Sequence, residues 1–317
     1  MSTIPRKTNP QPSQGAAVGR STRNHDTPGG RRVRFRSRGP ILWLLPSLMV
    51  LGIIFGASSV LLVDKALHHS GNWTLENFAI VWRDPTFRTA LLHNGRLLLA
   101  VPVLVVLAFV ASILLYEGRR GWRLHRSVAL LPYILPIPVV ALVFGQMLQL
   151  NGLINTTLRG VGLDRLALDW LGNPDIALST MTGIIVWKEL GFGIVLFLAR
   201  LISLSEDLFE AARIDGAGFF RLHAYVTMPQ MVGVIVLFAV IEATTMIAWV
   251  FGYVYVLTNG QGGPGDATLV SELYIYRNAF LFGSPELAAA AATTLFLLTG
   301  MLSVAFVVIR QRSRKGH

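Results

Sequence analysis

Residues 95–116 read GRLLLAVPVLVVLAFVASILLY, an apolar run interrupted by a single charge, Arg96. A helix rises about 1.5 Å per residue, so a run of this length crosses a hydrocarbon layer about 30 Å thick. Inside lipid a helix satisfies its own backbone donors and acceptors, which an isolated strand cannot do. Comparable runs occupy residues 41–63, 127–148, 180–201, 231–254 and 286–309. They predict an all-α polytopic membrane protein with six transmembrane helices. Composition agrees: 53% of the 317 residues are hydrophobic and 14% are charged, where soluble domains carry about 25% charge.

The flanks carry the positive charge. Residues 1–40 hold nine Lys and Arg against one acid, Asp26, among many Pro, Gly, Ser and Thr. With little to bury, 1–40 is expected to be a disordered basic tail, and not a cleavable secretion signal. Residues 41–310 then form the membrane domain and 311–317 a second short tail. Twenty of the 28 Lys and Arg fall in the first tail, at Arg119, Arg120, Arg123 and Arg126, at Arg200, Arg213 and Arg221, and at the C-terminus. The positive-inside rule puts both termini in the cytoplasm. Attraction to anionic lipid accounts for the net charge of +11 more simply than nucleic acid does.

Several chemistries find no support. The chain has no cysteine, hence no disulfide or thiolate metal site. No G-x-x-x-x-G-K-[ST] occurs, and the cluster Gly260-Gln261-Gly262-Gly263-Pro264-Gly265 reads as a turn. His68, His69 and His93 lack carboxylates at metal spacing, and no nucleophile–base arrangement is present. No catalytic, cofactor or metal residues are therefore assigned, and the chain is expected not to be an enzyme. Pro132, Pro136 and Pro138 should break the third helix, either beside a cavity or within the helix bundle.

Between the fourth and fifth runs lies a polar segment, 202–230, too long to be a turn. Ser203 and Glu206 fit a capping box, and Leu204, Leu208, Ala211 and Ala212 follow as an apolar stripe. Gly216 can take the positive φ that ends a helix. A second short helix is expected from Phe219 to about Val226, with Pro229 at the entry to the fifth run. Such a helix–turn–helix either docks a cytoplasmic partner or rests on the membrane.

Glu210-Ala211-Ala212-Arg213-Ile214-Asp215-Gly216-Ala217, followed by Val226-Thr227-Met228-Pro229, resembles the EAA loop of ABC-transporter permeases of the binding-protein-dependent sugar class. Pro132-Tyr133-Ile134-Leu135-Pro136, Asp169-Trp170-Leu171-Gly172, Trp187-Lys188-Glu189-Leu190-Gly191-Phe192 and Tyr255-Val256-Leu257-Thr258 agree with it in order and spacing. The resemblance covers most of 41–310. It implies a permease subunit of an ATP-driven importer in a bacterial cytoplasmic membrane. It further implies that ATP is bound by a dimer of partner ATPases and that an extracytoplasmic protein delivers the solute. The glycine-rich loop is similar to that of the first permease of maltose- and glycerol-phosphate-type pairs, which implies a heterodimer with a second permease. Glu210, Ala211, Ala212, Asp215, Gly216 and Pro229 carry over as the ATPase-coupling positions. Two departures stand near the solute path: Phe251-Gly252 where many relatives have Phe-Asp, and a short Gln261-Gly262 insertion.

Sugar recognition needs aromatic faces and a few polar groups in an apolar cleft. Tyr133, Gln146, Trp187, Phe192, Glu242, Thr245 and Trp249 are the candidates for the path. Lys188 is expected to snorkel or to pair with an acid, and Glu189 to point elsewhere, since neighbours on a helix do not face each other. The alternative is an ion-coupled carrier using intramembrane acids such as Glu242 and Glu189.

Overall fold

The computed structural model describes residues 39–69, 71–118 and 122–315. They belong to two units, Met1–Val50 and Leu51–His317. The first unit is described from Gly39 onward, where it is helical within α1 (Gly39–Leu51). The expected tail, 1–40, thus lies outside the described residues except for its last two positions.

The second unit continues through a π turn, Gly52–Gly56, into α2 (Ala57–Leu67). A two-stranded antiparallel hairpin follows, β1 (His68–His69) with β2 (Asn72–Trp73), His68 opposite Trp73. Next come α3 (Glu76–Arg83), α4 (Pro85–Leu98) and α5 (Ala100–Glu117), then α6 (Trp122–Ile134), α7 (Ile137–Met147) and α8 (Leu153–Gly160). The long α9 (Pro174–Ile202) leads to α10 (Glu206–Ile214) and α11 (Phe219–Leu222). Beyond a second π turn, His223–Thr227, lie α12 (Met228–Ala248), α13 (Phe251–Leu257), α14 (Ser271–Tyr276) and α15 (Pro285–Lys315).

Among the described residues four stretches are long and apolar enough to cross a membrane: Leu44–Leu67, Pro85–Glu117, Phe219–Ala248 and Pro285–Ala305. Segments Ser127–Ile134 and Ile137–Met147 make a fifth if the pair, bent by 95°, is one span. At 29 residues and about 1.5 Å each, α9 has the length for a sixth. The expected count of six is consistent with this architecture.

The bounds differ from expectation for local reasons. Asp84 accepts the N–H of Thr86 at 2.8 Å and Pro85 opens α4, so the second span starts ten residues before 95. Pro136, with ψ near 139°, cannot continue α6 and begins α7, which breaks the third helix as its prolines predicted. The fifth span stops at Ala248 instead of running to 254. At the C-terminus α15 carries the helix to Lys315, through most of the expected second tail; residues 316–317 lie outside the described residues.

The packing centres on α9. A Cβ on Gly193 would stand 2.5 Å from Phe238 Cζ and 2.7 Å from Ala108 Cβ, and one on Gly191 would stand 2.5 Å from the Ala129 carbonyl oxygen. Glycine at both positions lets α5, α6 and α12 approach closely. One buried cluster gathers Phe87, Leu97, Ile185, Met246, Tyr253 and Leu273. A second joins Leu104, Phe197, Leu201 and Phe238 to Phe209 of α10 and Leu222 of α11.

Candidate functional site

The break between α6 and α7 opens a cleft of about 470 Å³ lined by Tyr133, Ile134, Ile137, Lys188, Glu189, Thr245 and Trp249. Three of the expected path residues, Tyr133, Thr245 and Trp249, therefore line one cavity. Tyr133 lies nearly parallel to Phe192, ring centres 5.0 Å apart. Trp249 is 69% exposed, just past the end of α12. Trp187 instead packs edge-on against Phe144, and the amide oxygen of Gln146 accepts from Gln149 at 3.1 Å. Glu242 is buried, only 1% exposed, and its Oε2 has no hydrogen-bond partner among the described residues.

Lys188 and Glu189 correct the expectation drawn from helix geometry. Their charged ends meet at 3.6 Å despite being adjacent in sequence. Both are buried, and a charge removed from water requires a counter-charge and hydrogen bonds. Lys188 Nζ lies 5.0 Å from the Tyr133 ring centre and donates to the Tyr133 carbonyl at 3.3 Å. Glu189 Oε1 accepts from the Tyr253 hydroxyl at 3.2 Å. Adjacent long side chains can bend toward each other when no solvent competes. The signal in the sequence was two charges in the middle of an apolar run. The cleft thus offers two aromatic faces, a hydroxyl and a compact ion pair, which suits a neutral polyhydroxylated solute.

The segment 202–230 forms as two short helices about a left-handed turn. Gly216 has φ near +78°, and Ala217 N–H reaches back to the Ala212 carbonyl at 2.9 Å, a Schellman-type closure. The capping box is absent. Because α9 extends to Ile202, the Ser203 hydroxyl donates to the Arg200 carbonyl at 2.7 Å, and Ser205 precedes α10 instead. The inward face is Leu204, Phe209 and Ala212, not the stripe containing Leu208 and Ala211. Leu204 and Ala212 of the expected stripe do face inward, with Phe209 between them in place of Leu208. Glu210, Ala211, Asp215, Gly216 and Pro229 are exposed. So are Ile214 and Phe220, 86% and 85% accessible, large apolar side chains turned outward. The second helix does not end near Val226; it runs through the π turn into α12, with Pro229 in α12's first turn, where its missing N–H is tolerated. Glu117 at the end of α5 faces both Arg213 Nη2, at 3.4 Å, and His223 Nε2, at 3.6 Å.

Residues 96–315 match the family described as binding-protein-dependent transport system inner membrane component. The chain belongs to this family. It is a membrane-embedded transport subunit, not an enzyme, and the matched region includes both the cleft and the cytoplasmic element. The lactose transport system permease protein LacF of Rhizobium radiobacter is 30% identical over 240 residues, covering 74% of this chain and 80% of LacF. The diacetylchitobiose uptake system permease protein NgcF of Streptomyces coelicolor is 31% identical, covering 76% of this chain and 71% of NgcF. Among solved structures, a chain of a bacterial ABC transporter involved in alginate import superposes with a TM-score of 0.78. It is 22% identical and covers 86% of this permease and 95% of that chain, a likeness of fold.

Proposed function

We propose that this permease is one of two different membrane subunits of an ATP-driven sugar importer, with both termini in the cytoplasm. The observation that carries the reading is the cleft at the α6–α7 break, where Tyr133, Trp249 and Thr245 meet the Lys188–Glu189 pair. Stacking faces and a few polar groups are what a sugar ring requires. Relatives named for lactose and diacetylchitobiose uptake support the solute class. ATP is bound by separate ATPase subunits, since this chain has no phosphate-binding loop of its own. Glu210, Ala211, Asp215 and Gly216 form the surface those subunits engage, with Ile214 and Phe220 supplying apolar contact; Ala212 holds the element to its own core. The energy that moves the path comes from the differential affinity of the ATPases for two states of that surface. A dedicated binding protein delivers the solute from outside.

The test is uptake by membrane vesicles holding the assembled transporter, its binding protein and a panel of labelled sugars that includes lactose and diacetylchitobiose. ATP-dependent uptake of at least one sugar that persists under an uncoupler supports the reading. Uptake that collapses under the uncoupler with ATP retained would mark an ion-coupled carrier instead.

A further inference from the structure

We propose that Glu272, on the external side of the chain, is a positioning residue that fixes Trp249 in the cleft and so ties the external loop to the solute path. The proposal rests on the cleft's being that path. Between Ala248 and Phe251 the helix is interrupted, and an interruption exposes carbonyls on one side and N–H groups on the other. Near membrane depth such groups need partners from elsewhere in the protein. Each side is capped by a different side chain. Asn94 Nδ2 donates to the carbonyls of Met246 and Ile247 at 3.0 and 3.2 Å, closing the end of α12. Glu272 Oε2 accepts from the N–H groups of Val250 and Phe251, both at 2.9 Å, opening α13. Trp249 is the residue left between the two caps.

The caps are themselves joined. Asn94 Oδ1 accepts the N–H of Ser271, the residue before Glu272, at 2.9 Å. Tyr274, on the same short helix, donates to Asp84 Oδ2 at 2.7 Å, and the carbonyl of Leu269 meets His93 Nδ1 at 2.8 Å. The external segment therefore grips α4 at three places and presents one carboxylate to the break. A shift of α14 along the membrane normal would pull on the backbone of Val250 and Phe251, and Trp249 would follow. Trp249 is 69% exposed and pairs with no other ring among the described residues, so the position of its backbone governs where the side chain stands in the cleft.

The chain contains no cysteine, so Trp249→Cys or Thr245→Cys introduces one thiol into it, and its modification by a water-soluble methanethiosulfonate can be timed in the assembled transporter. Glu272→Ala should change the rate at 249 by about tenfold, the scale on which losing a part-buried hydrogen-bond acceptor shifts an equilibrium. It should leave the rate at 245, on the intact part of α12, within about twofold. Glu272→Gln, whose amide oxygen can still accept both N–H groups, should restore the original rate at 249. Should the alanine variant fail to assemble, Glu272→Asp, which withdraws the carboxylate by one methylene, decides by the same two rates. Equal change at 249 and 245, or no change at 249, overturns the positioning role while leaving the cleft as the path. No reaction at either thiol with Glu272 intact overturns the path itself, and the proposal with it.

Discussion

Two adjacent residues, Lys188 and Glu189, show how little a helical wheel says about buried charge. Each is the other's nearest counter-charge, and both side chains are largely withdrawn from solvent. Removing one partner strands the other, which typically costs about 3–5 kcal/mol, whereas replacing both by uncharged groups is often close to neutral. Lys188→Met should therefore destabilise the detergent-solubilised protein markedly, and Lys188→Met combined with Glu189→Gln should recover most of the loss in chemical unfolding. A double variant no more stable than the worse single one would contradict the pairing. At Gly193 the constraint is space. A methyl there meets Phe238 and Ala108 at under 3 Å, so Gly193→Ala should cost about 1–3 kcal/mol and lower the melting temperature. An unchanged melting curve would show that α9 and α12 can part without penalty.

The turn at Gly216 is what gives the α10–α11 element its shape. Its φ near +78° is unavailable to proline, whose ring holds φ near −65°, so Gly216→Pro should abolish uptake in membranes that still contain the protein. Glu117 holds the same element to α5 through Arg213. Glu117→Ala should lower transport per ATP hydrolysed more than it lowers the amount of assembled transporter, and equal losses of both would reduce Glu117 to a structural contact. On α14, burial pushes the Glu272 carboxyl up to about 7, against the pull of the Val250 and Phe251 N–H groups. An acid raised in this way binds its proton more tightly folded than unfolded. Its contribution to stability is full below its ordinary value of about 4.5 and is lost as pH rises through about 7. Melting temperature in detergent should fall across that interval, and Glu272→Gln should flatten the slope; an identical slope in the variant would contradict it.

At the scale of the molecule, what was legible followed from solvent and steric rules. Apolar runs such as 95–116 fixed the helices because lipid leaves the backbone no other choice, and Pro136 marked the break because it cannot extend α6. Gly216 could be read as a turn for its freedom of φ. The cleft was half legible: Tyr133, Thr245 and Trp249 were named for their chemistry, but Trp187 and Gln146 carry the same chemistry and face elsewhere. Which neighbour each meets, Phe144 for Trp187 and Gln149 for Gln146, is set by tertiary packing and has no counterpart in periodicity. The caps on the fifth helix were invisible for a related reason, since Asn94 and Glu272 act on backbone about 150 and 22 positions away. On the proposed coupling, a surface around Glu210 and Gly216 receives the push that opens the cleft. The most direct test of that coupling is solute uptake by the complete transporter, with ATP and binding protein present, carrying the double substitution Glu210→Lys and Gly216→Pro. Loss of uptake while the permease remains inserted and abundant is the expected result; uptake at the normal rate would contradict the account.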